Sequence, residues 1–166
     1  MTPGLRKLAL TGHVTSSVAW LGAVAAFLVL AIVGVASRDP LRVQAAYVAM
    51  ELTGWDIIVP LALASLLTGL IQALGTEWGL LQHYWVLLKL VMTVVATALL
   101  LVHMQPTSQM ARAAHLSLLE FGELRSTRIQ LLADAAAASV VLLAATALSI
   151  YKPRGKTQYA RRVQRG

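Results

Sequence analysis

The residues best suited to chemistry in this sequence are ionisable side chains in or beside long apolar segments. His13, His83 and Lys89 are the main examples, and each lies within or at the edge of a run of Leu, Ala and Val. An imidazole nitrogen can bind a metal ion or carry a proton, and a lysine amine can pair with an anion or donate hydrogen bonds. Holding such a group inside a membrane costs roughly 2.5–3.5 kcal/mol. These residues therefore indicate a functional site.

The elements that must position these residues are apolar segments long enough to cross a bilayer. The chain has 166 residues, of which 58% are hydrophobic and 13% charged, about half the charged fraction of a soluble domain. Segments of mainly apolar residues meet the length rule of about 20 residues, and they cover residues 8–36, 44–74, 79–104 and 129–151. We predict an all-α, antiparallel four-helix membrane bundle that forms one domain over residues 1–166.

The third connection, residues 105–128, is the longest. Its Met110, Ala114, Leu118 and Phe121 recur at helical spacing, which predicts a short amphipathic helix between helices three and four that lies on the membrane surface.

The basic residues predict the orientation of the bundle. The chain has fourteen Lys and Arg residues, and six of them lie in the tail 152–166. A basic tail directly after an apolar span is typical of a cytoplasmic end that faces anionic lipid, so we favour the lipid bilayer over nucleic acid as its partner. Together with Arg6 and Lys7, the tail predicts that both termini are on the cytoplasmic side of a plasma membrane. We expect the first helix to be retained rather than cleaved as a signal peptide.

Helical spacing places the candidate residues on faces that point into the bundle. On helix three, Lys89 shares a polar stripe with Thr93 and Thr97, while on helix one His13 and Ser17 share a face. Helices one and three run in the same direction, so His13 lies at a depth similar to that of His83 or, with its long side chain reaching back, Lys89. We predict that Lys89 turns inward and meets a partner beside the imidazole of His13.

Two simpler explanations of Lys89 remain open at this point. Its side chain could extend to the lipid headgroups, or it could form a structural ion pair with Asp56 of helix two.

A second candidate site lies at the other membrane face. Imidazole, carboxylate and thioether groups together could hold copper, and thioethers favour Cu(I). This cluster consists of Met50, Glu51, His103, Met104, Met110 and His115. The chain has no cysteine, so any such site lacks thiolate ligands.

Three stretches carry a resemblance to known families: "GHVTSSVAWLGAVAAFLVLA", "PLALASLLTGLIQALG" and "YWVLLKLVMTVVATALLLVH". Over about residues 8–104 the chain resembles a widespread bacterial family of integral membrane proteins of unknown function. The pattern of a histidine before Trp-Leu-Gly, a later Thr-Gly and a Leu-Lys also resembles the copper-resistance D family. A third resemblance is to the four-helix membrane protoporphyrinogen oxidases, although the chain lacks the Pro-Arg-Leu-Phe stretch of their first helix.

The last resemblance implies that haem b or a related tetrapyrrole binds between helices one and three. His13 would be an axial ligand, and His83 or Lys89 would be the second ligand or a charge partner. The neighbouring residues Ser17, Trp20 and Trp85 would line the cofactor, and Arg6 and Lys7 would meet its propionates. The expected role is electron transfer or tetrapyrrole oxidation, with a redox partner or a second copy of the chain as partner. The alternatives are a copper-handling membrane protein, for transport or sensing, and a non-catalytic membrane subunit.

Overall fold

The computed structural model describes residues 1–75, 83–115 and 124–151, except for the side chain of His115. These residues form five α-helices: α1 (Pro3–Ala36), α2 (Pro40–Leu52), α3 (Val59–Gly75), α4 (Tyr84–His115) and α5 (Arg125–Tyr151). A π-helical turn, Thr53–Ile58, joins α2 to α3 in one continuous helix. The described residues thus contain four helices long and apolar enough to cross a membrane, which confirms the predicted four-helix membrane bundle. The basic tail 152–166 lies outside the described residues.

The four spans pack in a ring. Helix α1 packs against α2 and α3 on one side and against α5 on the other, while α4 closes the ring between the second span and α5. Spans one and three therefore face each other across the centre of the bundle. The end of the bundle at which α1 begins also contains the end of α3, the start of α4 and the end of α5; we call it the terminal end.

Apolar packing fills the bundle away from the terminal end. All four spans contribute to a buried cluster near the opposite end, which consists of Ala31, Val43, Tyr47, Met50, Met110, Ala114 and Leu131. A second cluster lies midway along α1 and contains Trp20, Val24, Ile58, Ala62 and Leu142. Side chains that interdigitate in this way fix the rotation of each helix about its axis. That rotation determines which residues face inward at the terminal end.

The π-helical turn lies just before Pro60. Proline has no backbone N–H, and its ring clashes with the carbonyl four residues earlier, which here belongs to Asp56. The wider π turn relieves this clash, because the amide of Val59 bonds to the carbonyl of Gly54 five residues back. The sequence predicts a distortion at Pro60, and the structure shows its form.

The third span is longer than predicted. Residues 105–115 are helical, as expected, but they continue α4 without a break through Pro106. The prediction that they form a separate helix on the membrane surface is wrong: Met110 and Ala114 are buried in the cluster near the opposite end. Burial of this face against α2 provides the apolar contacts that a surface helix would seek in lipid. Leu118 and Phe121 lie outside the described residues.

The close contact between α1 and α2 is testable at Gly34. A Cβ atom on Gly34 would lie 2.7 Å from both Cζ and Oη of Tyr47, and the buried ring has no room to retreat. We expect Gly34→Ala to destabilise the protein by about 1–3 kcal/mol, measured by thermal or denaturant unfolding in detergent. Gly22→Ala is the matched control, because no atom lies within 4 Å of the added carbon. Equal stability of the two variants would contradict the packing of α1 against α2.

Candidate functional site

The bundle holds a contact between a lysine and a histidine from opposite spans. Nζ of Lys89 on α4 lies 3.3 Å from Nε2 of His13 on α1, and both side chains are partly buried. The two helices are diagonal neighbours, so the long lysine side chain crosses the centre of the bundle to make this contact. The predicted inward turn of Lys89 is confirmed, and the structure shows that its partner is the imidazole of His13 itself.

The other ring nitrogen of His13 is held by the second span. Nδ1 lies 3.0 Å from the carbonyl oxygen of Ser65 and 3.2 Å from Oγ1 of Thr68. A carbonyl oxygen only accepts hydrogen bonds, so Nδ1 must carry a proton and donate it. In the neutral ring Nε2 then holds the lone pair and accepts from the Lys89 amine. The hydrogen bond to α3 thereby sets the tautomer of His13, and the unprotonated nitrogen Nε2 faces α4.

Further polar contacts tie α1 to α3 around His13. The hydroxyls of Ser17 and Ser65 are 2.7 Å apart, and Nε2 of Gln72 donates to the carbonyl oxygen of Ala9 at 2.9 Å. Ser65, Thr68 and Gln72 recur at helical spacing, so they lie on one face of α3. They form a hydrogen-bonded layer at the terminal end, in which the imidazole has little freedom to rotate.

A glycine on α3 shapes the space for the imidazole. A Cβ atom on Gly69 would lie 3.0 Å from Cε1 of His13, whereas one on Gly12 would meet only the Thr68 methyl group at 3.8 Å. The close contact of α3 with the ring edge therefore depends on the missing side chain of Gly69.

The polar stripe of α4 continues inward from Lys89. Thr93 donates its hydroxyl proton to the carbonyl oxygen of Lys89 at 2.8 Å, and Thr97 donates to that of Thr93 at 2.8 Å. Each hydroxyl keeps its lone pairs available as acceptors. The stripe faces the protein interior, since Thr97 is buried.

Neither simpler explanation of Lys89 matches the geometry. Its amine contacts an imidazole in the bundle rather than extending to the headgroups, and the described part of the chain contains no ion pair of Lys89 with Asp56. Asp56 is exposed and lies nine residues before Ser65, which is about 14 Å along the helix. That separation in depth is too large for the amine to bridge while it contacts His13.

The other residues predicted to surround a cofactor lie in different environments. His83 lies next to the start of α4 and its ring contacts that of Trp85, with centroids 6.4 Å apart. Trp20 is buried in the midway cluster, and its Nε1 has no hydrogen-bond partner among the described residues. Arg6 and Lys7 are exposed near the start of α1. The α4 side chain that contacts His13 is Lys89, whereas His83 precedes α4 and contacts Trp85.

The candidate copper ligands at the opposite end differ in how deeply they are buried. Met50, Met104 and Met110 are fully buried among apolar side chains, which is the usual role of methionine in a core, whereas Glu51 is half-buried. No three His, Asp or Glu side chains gather as a metal site within the described ranges. The copper site stays a prediction, and the side chain of His115 lies outside those ranges.

His103 has a partner that the sequence did not reveal. Its Nε2 lies 3.1 Å from Oδ2 of Asp134 on α5, and its Nδ1 lies 2.7 Å from the carbonyl oxygen of Leu99. The two residues lie in different spans, and no pattern in the sequence joins them. Core packing decides which face of α4 meets which face of α5.

A second interaction that the sequence did not reveal lies near the opposite end. The guanidinium of Arg128 lies over the ring of Tyr47, 5.7 Å from its centroid, and Arg128 is buried. The signal that could have drawn attention to it is a basic residue within the first turn of an apolar span.

Comparison with known proteins returned no matching family model, no curated relative and no solved structure. The resemblances noted from the sequence therefore remain predictions, and the case for function rests on the geometry around His13.

The contact between His13 and Lys89 can be measured by a double-mutant cycle. We expect His13→Leu, Lys89→Met and the double variant to show a coupling of about 0.5–3 kcal/mol in unfolding free energy. His13→Leu should be the more damaging single change, because it leaves an amine in hydrocarbon without its acceptor. Lys89→Met combined with Ser139→Ala is the control, since Ser139 bonds within α5, and these effects should add. Additive effects for His13 and Lys89 would contradict the contact.

Proposed function

We propose that this membrane bundle binds b-type haem, with His13 as an axial ligand to the iron. The observation that carries the proposal is the orientation of the imidazole: Nδ1 donates to the carbonyl of Ser65, and Nε2 faces the bundle interior. Histidines that bind metals commonly donate the other ring N–H to a backbone carbonyl, which fixes the ring and raises the basicity of the binding nitrogen. The donor set therefore fits haem iron.

The packing of α4 supports access to this nitrogen. In the most apolar stretch of α4 only 6% of residues are buried inside the protein, against 28% in α1 and 28% in the second span. A helix with so few fully buried residues can shift sideways at little cost in packing free energy, because lipid would cover the apolar side chains that lose their protein contacts. A flat cofactor could then occupy the space between α4 and the pair formed by α1 and α3.

Lys89 is the favoured partner of the cofactor on α4. Its amine already lies within hydrogen-bond distance of the ligand nitrogen of His13, whereas His83 contacts Trp85. In the haem-bound protein the amine would have to leave Nε2, and it would then be available as the second ligand or as a partner for a propionate. Haem supplies one-electron transfer when bound, and the proposed role is electron transfer within the membrane.

The absorption spectrum of the purified protein tests the proposal. We expect protein expressed with haem supplementation and purified in detergent to show a Soret band that His13→Ala abolishes. Lys89→Met should shift the band or lower the haem content. His103→Ala is the control and should keep the wild-type spectrum, because His103 is held by Leu99 and Asp134. A wild-type protein without a Soret band would rule out the proposal.

Gly69 offers a second test that leaves the ligand in place. Because a Cβ atom would lie 3.0 Å from Cε1 of His13, Gly69→Ala should displace the ring by a few tenths of an ångström. We expect haem affinity to fall roughly tenfold, as is typical when a group that orients a ligand is disturbed. Gly12→Ala is the matched control and should bind haem like the wild type, and equal titration curves for the two variants would argue against ligation by His13.

A further inference from the structure

The second span carries an acidic side chain on its outer surface, where lipid surrounds the bundle. Asp56 is exposed and belongs to the π-helical turn between α2 and α3, and single π turns frequently occur at functional sites. The exposed residues around it are apolar and include Leu52, Ile57 and Leu63. Within the described ranges the Asp56 carboxyl forms neither a hydrogen bond nor an ion pair. The turn therefore presents an unsatisfied carboxyl to the lipid.

The depth of Asp56 follows from a contact of the same turn. A Cβ atom on Gly54 would lie 3.8 Å from Cε2 of Phe27 on α1, so the turn is level with Phe27. Phe27 follows His13 by fourteen residues and precedes Arg38 by eleven, and no ionisable residue lies between those two. These separations are about 21 and 16 Å of helix, compared with a hydrocarbon core about 30 Å thick. Asp56 therefore lies deep in the hydrocarbon, where its short side chain cannot reach the headgroups.

A carboxyl at this depth needs a partner from outside the chain. Lipid tails offer no hydrogen-bond donor, and an unpaired acidic group inside a membrane is costly. The adjacent indole of Trp55 is already engaged, because its Nε1 donates to Oγ of Ser108 on α4 at 3.2 Å. A lysine or arginine supplies N–H donors together with the opposite charge. The complement of Asp56 is therefore a basic side chain at the same depth.

A second copy of this chain does not supply that basic side chain. Rotation about an axis normal to the membrane keeps every residue at its own depth, so symmetric copies would bring two Asp56 carboxyls together. Lys89 contacts His13, Arg128 is buried, and both ring nitrogens of His103 are engaged. The exposed basic residues of the described helices lie near helix ends, far from the level of Asp56: Arg6, Lys7, Arg42, Arg112 and Arg125. Charge complementarity therefore favours a different protein.

We propose that Asp56 binds a lysine or arginine in a membrane-spanning helix of a partner protein. The exposed apolar residues beside Asp56 pack against the partner helix, and the ion pair fixes the depth of that helix in the membrane. This proposal is independent of haem binding, because it involves neither His13 nor Lys89.

Energy transfer in phosphatidylcholine liposomes to a synthetic membrane-spanning peptide of Leu and Ala tests this proposal. The chain has no cysteine, so the donor dye is attached to the full chain through Arg38→Cys, and each peptide carries the acceptor dye. One peptide has a single lysine at its centre, and the other has leucine there. We expect the protein to bind the lysine peptide at least fivefold more tightly than the leucine peptide. Adding Asp56→Asn should abolish this preference.

Glu51→Gln is the matched control, since Glu51 is a half-buried carboxylate five residues earlier in the same span. This variant should prefer the lysine peptide as strongly as the parent protein does. Equal binding of the two peptides would overturn the proposal, as would a preference that survives Asp56→Asn. Energy transfer between differently labelled copies of the chain that Asp56→Asn abolishes would also overturn it, because the occupant would then be a second copy. Thermal unfolding in detergent confirms that each variant is folded.

Discussion

The structure at the terminal end depends on the need of a lysine amine for a hydrogen-bond acceptor inside an apolar bundle. Lipid tails offer none, and the described chain provides no carboxylate ion pair for Lys89. The imidazole of His13 fills this need with Nε2, 3.3 Å from the amine, and it can do so because a backbone carbonyl of α3 holds the proton on the opposite nitrogen. The two ring nitrogens of His13 thus link three of the four spans.

The bundle divides its stability and its chemistry between its two ends. Near the opposite end, large apolar side chains from all four spans interlock, and glycines at positions 34 and 54 let neighbouring helices approach closely. At the terminal end, the hydroxyls of Ser17 and Ser65 and the amide of Gln72 hold α1 to α3, while residues 84–96 of α4 are half-buried or exposed. A well-packed end can fix the helices while the other end retains room for a ligand, which is the general arrangement of cofactor sites in helical bundles.

His13 of α1 and His103 of α4 show how the environment gives residues of one type different roles. His13 has one nitrogen anchored by the backbone and presents the other to an amine, so a competing ligand need only displace a lysine. His103 has both nitrogens occupied, one by a carbonyl of its own helix and the other by the Asp134 carboxylate. Displacing that carboxylate would leave a half-buried charge without its partner. The first arrangement suits ligand binding, and the second suits the joining of α4 to α5.

The sequence by itself determined the four spans, the inward turn of Lys89 and the polar faces of α1 and α4, because each follows from span length or helical spacing within one segment. It also indicated a distortion at Pro60. Only the tertiary structure decided that α4 continues through Pro106, that Asp134 meets His103 and that Lys89 contacts His13 rather than Asp56. These outcomes depend on the rotation and depth of one helix relative to another. Core packing between segments fixes both, and no pattern within a single segment contains that information.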